Sequence, residues 1–77
     1  MFWHPRAEPF VFPAHAEAFQ VPEGRVALIQ HGGVVTLVVG GHNCTFNVDR
    51  APVWAAAGTV VRFRNDTAGL LLPADGR

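Results

Sequence analysis

Seventy-seven residues allow one small domain and no more. The chain is 49% hydrophobic and 16% charged, with six basic residues balanced by six acidic ones. That balance excludes a polybasic nucleic-acid binder, an acidic tail and a disordered linker, which need more charge or fewer apolar residues.

Residues 1–22 carry Pro5, Pro9, Pro13 and Pro22 with Phe2, Trp3, Phe10, Phe12 and Phe19 between them. Prolines at this density forbid a regular helix and weaken any central strand. The segment reads as an extended N-terminal arm that docks on a surface, with at most one helical turn between Ala14 and Phe19. A single β-domain then spans residues 23–77.

Residues 25–48 hold the strongest pattern. Arg25–His31, Val34–Val39 and His42–Val48 are β-rich runs separated by Gly32-Gly33 and Gly40-Gly41. Paired glycines between such runs suit two-residue hairpin turns, whose central residues need positive φ. The expectation is a three-stranded meander in which His31 pairs with Val34, Leu28 with Leu37, Val39 with His42, and Val35 with Phe46. Alternation then places Val26, Leu28, Gln30, Val35, Leu37, Val39, His42, Cys44, Phe46 and Val48 on one apolar face. The opposite face receives Ile29, Val34 and Val38, too apolar for a wetted surface and therefore a candidate contact area.

The last third continues in the same style. Val53–Ala55 is a short strand after the turn at Asp49–Pro52. Thr59–Arg64 alternates, Asn65–Gly69 is a turn cluster, and Leu70–Leu72 is a final strand before Pro73. About six short antiparallel strands imply an all-β fold, a small sandwich or barrel with almost no helix.

Size bears on assembly. Chains below ~70–80 residues rarely gain more than ~3–5 kcal/mol from one core and usually add disulfides, metal or oligomerisation. One cysteine excludes an internal disulfide. No apolar run approaches the ~18–20 residues of a membrane span, and no signal-peptide pattern is present. Self-association is the favoured device, and zero net charge does not oppose it.

Candidate chemistry is sparse. His42 and Cys44 share a strand face and are the weak metal candidates, with His4, His15 and His31 as further imidazoles, but no metal-ligand spacing such as CxxC occurs. The two side chains are ~7 Å apart along a strand, too far for a thiol–imidazole pair, so no enzyme is expected. The carboxylates fall in arm, turn and tail positions, where solvation is the ordinary state. Arg62 and Arg64 share a face but do not make a phosphate track. Asn43-Cys44-Thr45 and Asn65-Asp66-Thr67 match the glycosylation acceptor pattern without a secretory signal to give it use. Trp3 and Trp54 suit an interface, where Trp is enriched.

The run Ala57-Gly58-Thr59-Val60-Val61-Arg62-Phe63-Arg64-Asn65-Asp66-Thr67-Ala68-Gly69-Leu70 resembles a phrase common in small β-domains of bacteriophage virion proteins: head-decoration proteins, head fibres and tail-fibre tips. Its physical content is a hairpin. Similar strands occur in cupredoxin-like copper domains, but no ordered Cys, His and Met set follows here. The virion resemblance implies a non-enzymatic structural protein without cofactor, located in a virion if phage-derived and otherwise cytoplasmic. Its implied partners are itself, as a trimer or other symmetric oligomer, and a larger capsid or tail protein, with no nucleic acid and no membrane. The expected contact residues are Phe2, Trp3, Phe10, Phe12, Ile29, Val34, Val38 and Trp54. A protein- or glycan-binding module anchored by Trp54 or Trp3 is the alternative, and a metal-binding barrel using His42 and Cys44 is the third reading.

Overall fold

The computed structural model describes residues 7–74, and within them eight strands form two four-stranded antiparallel sheets. The strands are β1 (Glu8–Phe12), β2 (Ala18–Gln20), β3 (Arg25–His31), β4 (Val34–Val39), β5 (His42–Asn47), β6 (Val53–Ala55), β7 (Val60–Phe63) and β8 (Thr67–Pro73). One sheet, here sheet A, has the order β1-β8-β3-β6; the other, sheet B, has the order β2-β7-β4-β5. The only helical element among the described residues is a 3-10 turn at Ala14–Ala16. The fold is a small all-β sandwich, as the strand spacing predicts.

Chain connectivity departs from a meander. Only β4 and β5 are joined as a hairpin; every other consecutive pair of strands lies in different sheets. The expected pairing of β3 with β4 is therefore absent. β3 pairs with β8 and β6, while β4 pairs with β5 and β7.

The two Gly-Gly pairs show why. Gly40 and Gly41 have φ of 55° and 82°, both positive as a tight hairpin of the primed type needs, and Val39 faces His42 across them. Gly32 and Gly33 have φ of 146° and 60°, and their backbone turns from one sheet to the other. A β-carbon on Gly32 would stand 2.9 Å from Thr67 Oγ1, so the arch packs directly on the first residue of β8.

This rearrangement reverses the faces of β3. Ala27 and Ile29 point inward and are fully buried, while Val26 and Leu28 point outward and are half-buried. In β4 the inward residues are Val35 and Leu37, as alternation predicts. The inner face of sheet A alternates large and small: Phe10, Gly69 and Ile29 occupy one cross-strand row, and Leu71, Ala27 and Ala55 the next. Small residues at Ala27, Ala55 and Gly69 make room for Phe10 and Ile29 on the same sheet and for Val35, Val61 and Phe63 from sheet B.

Residues 8–20 do not extend as an arm. β1 pairs with β8 at one edge of sheet A, and β2 pairs with β7 at one edge of sheet B. Of the described prolines in the expected arm, Pro13 and Pro22 lie in connections and Pro9 sits in an edge strand, where a missing N–H is tolerated. The phenylalanines hold the segment down. Phe10 is buried, and Phe12 stacks on Phe19 with centroids 4.5 Å apart, while Phe63 lies 6.0 Å from Phe19. Aromatic contacts thus tie β1, β2 and β7 together across the sandwich.

The run that resembles virion β-domains is also not a hairpin. β7 belongs to sheet B and β8 to sheet A, joined by an arch at Arg64–Asp66. Asp66 fixes the arch by accepting the Ala14 N–H at 2.7 Å, and the buried Thr67 hydroxyl donates to the Asn65 carbonyl at 3.0 Å. The Thr67 bond is local to the arch, whereas the Asp66 bond ties the arch to the segment between β1 and β2.

Candidate functional site: an apolar sheet face

The outer faces of the two sheets differ in chemistry. On sheet B the outward residues include Gln20, Thr36, Asn43, Thr45, Asn47 and Arg62, with Val34, Val38 and Val60 among them. Thr36 and Thr45 share a hydroxyl contact at 3.2 Å across β4 and β5. That face is wetted and polar, and a shallow open depression there is lined by Glu17, Val34, Thr36, Arg62, Arg64 and Asn65.

On sheet A the outward residues are almost all apolar. One unbroken cross-strand row runs Pro9, Leu70, Leu28, Trp54 through all four strands. Val26 pairs with Leu72 on one side of this row, and Val11 pairs with Ala68 on the other. Val11 is 72% exposed and Trp54 58% exposed, while Leu28, Leu70 and Leu72 are half-buried. Gln30 and His31, at a register shift in β3, are the polar exceptions; His31 pairs with Ala68 and so extends the Val11–Ala68 row. Exposed apolar area of this continuity marks a contact surface more often than a solvated one.

The residues expected to make contacts are distributed differently from the sequence reading. Trp54 lies on the sheet A face. Ile29, at 0% exposure, belongs to the core, and Phe10 and Phe12 belong to the aromatic cluster. Their side chains are consumed in holding the sandwich together, so these three are corrected from contact to structural residues. Val34 and Val38 lie on the polar outer face of sheet B, separated from Trp54 by the whole sandwich. Phe2 and Trp3 lie outside the described residues.

The sequence pattern does not mark Pro9, Val11, Val26, Leu28, Leu70 and Leu72 as contact residues. Val26 and Leu28 carry an apolar signal, but both faces of β3 are apolar and a hairpin at Gly32-Gly33 would turn these two inward in place of Ala27 and Ile29.

His42 and Cys44 are both exposed on β5. Among the described residues no group of three or more His, Cys, Asp or Glu side chains gathers to hold a metal ion. None of the described helices is long and apolar enough to cross a membrane. The fold and this face define a class, a small antiparallel sandwich with one polar and one apolar outer sheet. No family model, curated protein or solved structure matches the chain.

Proposed function

We propose that this chain is a non-enzymatic structural protein that works by assembly, seating the outer face of sheet A on a neighbouring protein subunit. The observation that carries this reading is the row Pro9–Leu70–Leu28–Trp54 with its largely apolar flanks, continuous across four strands. The bacteriophage-virion setting, as a capsid decoration or fibre component, comes from the resemblance of residues 57–70.

A protein partner fits this face better than a glycan. Sugar recognition combines an aromatic platform with polar groups that hydrogen-bond hydroxyls, whereas the neighbours of Trp54 in its row are Leu28, Leu70 and Pro9. An apolar core with an exposed Trp anchor is the usual makeup of a protein interface.

The test is to band phage-like particles from the source culture and measure this chain in them by quantitative mass spectrometry. A fixed stoichiometry to the major capsid or tail protein, lost when Leu28→Glu replaces the native chain, is the expected result. Absence of the chain from washed particles overturns the virion reading.

A further inference from the structure

We infer that two copies of this chain join through β5, edge to edge and antiparallel, so that sheet B continues across a two-fold axis at Cys44. This inference rests on the assembly reading for the relevance of self-association and adds where the copies meet, leaving the outer face of sheet A open for its neighbour.

Among the described residues the sandwich has four sheet edges: β1, β6, β2 and β5. Exposed edges template pairing with other chains, and proteins blunt them with shortness, charge or proline. β2 and β6 are three residues each, and β1 carries Glu8 and Pro9. β5 has none of these protections. It is six residues long, His-Asn-Cys-Thr-Phe-Asn, with no Asp, Glu, Lys, Arg or Pro, and every residue is exposed.

The backbone pattern selects the partner. The two-residue turn at Gly40-Gly41 closes on Val39 and His42, so His42, Cys44 and Phe46 direct their N–H and C=O groups toward β4. The Val48 N–H, in the same phase, donates to the Gly33 carbonyl at 2.9 Å. Asn43, Thr45 and Asn47 therefore present theirs to the open edge. A second β5 offers the same alternation in reverse, and a neutral strand opposes no like charges when paired with itself.

A two-fold axis normal to the sheet keeps equivalent side chains on one face and sets one residue opposite its own copy; Cys44 or Thr45 in that place gives the longest overlap of the six-residue strand. The second would share the Asn47 carbonyl, which already accepts the Arg50 N–H at 3.2 Å. In the first, Asn43 of each copy exchanges both backbone bonds with Thr45 of the other, using groups that no bond within the sheet requires. Phe46, 42% exposed, then lies opposite the partner's His42, and the two Cys44 side chains meet at a site without hydrogen bonds, with Cα atoms ~4.5 Å apart.

The experiment measures solution mass by light scattering across about a tenfold concentration range, with crosslinking of the same samples by the thiol oxidant diamide. The expected result is a dimer that diamide converts to a disulfide-linked species, because the Cα spacing lies within disulfide range. Thr45→Pro removes an outward N–H without touching the bonds to β4, and is expected to weaken the dimer at least about tenfold. Asn43→Lys supplies a second disruption that keeps the backbone intact. A wild-type monomer throughout, a dimer untouched by both substitutions, or a dimer that diamide fails to link each overturns the inference. Leu28→Glu separates the two proposals, since it removes neighbour binding and leaves this dimer at its wild-type mass.

Discussion

Phe10 and Gly69 face each other across β1 and β8, and the Phe10 ring fills the space a side chain at position 69 would occupy. Phe10 Cζ lies 3.0 Å from where a β-carbon on Gly69 would stand, and the Leu28 carbonyl oxygen crowds the same point from β3. Gly69→Ala must therefore push β8 away from β3, because the Leu28 backbone carbonyl is the closest group to that point and moving the ring alone leaves it there. Overpacking of this kind costs about 1–3 kcal/mol, occasionally more. A core this small supplies only ~3–5 kcal/mol, so the variant is expected to be largely destabilised. A urea denaturation midpoint equal to wild type would show that the two strands can separate without cost.

Phe10 itself is the second point of dependence. Its ring touches Phe12 at 5.4 Å and Phe19 at 5.1 Å between centroids, and it is buried between the sheets. Phe10→Ala is expected to cost about 3–5 kcal/mol and leave the chain mostly unfolded at room temperature. Val11→Ala, one residue on and 72% exposed, is expected to change stability by less than about 0.5 kcal/mol. Far-UV circular dichroism on the pair checks the alternation of β1 directly.

Glu17 has φ of 66°, the only described residue other than glycine with positive φ. Its carbonyl accepts the Phe63 N–H at 2.9 Å, which fixes the backbone in that shape. Holding a non-glycine residue there costs about 1 kcal/mol or more. Glu17→Gly is expected to raise Tm by a few degrees in a thermal melt, and a lower Tm would mean that the entropy glycine adds to the unfolded chain outweighs the relief.

Arg25 pairs with Glu8 across β8, bridging β3 and β1, with Glu8 58% exposed. An ion pair this open to water is worth less than about 1 kcal/mol and is screened by salt. Glu8→Gln is expected to move the denaturation midpoint slightly at low ionic strength and not at all in molar salt. A large shift persisting in salt would assign Glu8 a packing role.

Trp54 and Leu28 test the sheet A face. Trp54→Ala removes a side chain that is already 58% exposed, so its effect on stability is expected to stay within about 1 kcal/mol while neighbour binding falls. Leu28→Glu places a charge at the centre of the row and is expected to abolish that binding. Wild-type particle incorporation of both folded variants would remove this face from the assembly.

The strands were legible because they depend on local chemistry. Six segments between Arg25 and Pro73 alternate or run apolar between Gly, Pro, Asn and Asp, and all six are strands. β1 and β2 were not, because prolines dominate the local signal; only pairing with β8 and β7, and the burial of Phe10, make strands of residues 8–12 and 18–20.

Local chemistry is enough for an all-β chain, the hairpin at Gly40-Gly41 with its register, and the inward face of β4. Those follow from residue periodicity and from turn chemistry confined to a few neighbouring positions. Tertiary structure alone decided that Gly32-Gly33 and Arg64–Asp66 are arches between sheets, and hence that Ile29 faces in while Leu28 faces out. A β-run flanked by glycines reads the same whether the chain folds back beside itself or crosses to another layer. The choice is made by what fills the opposite side: the small residues Ala27, Ala55 and Gly69 accept Phe10 and Phe63, and that fit places Leu28 and Trp54 on the surface.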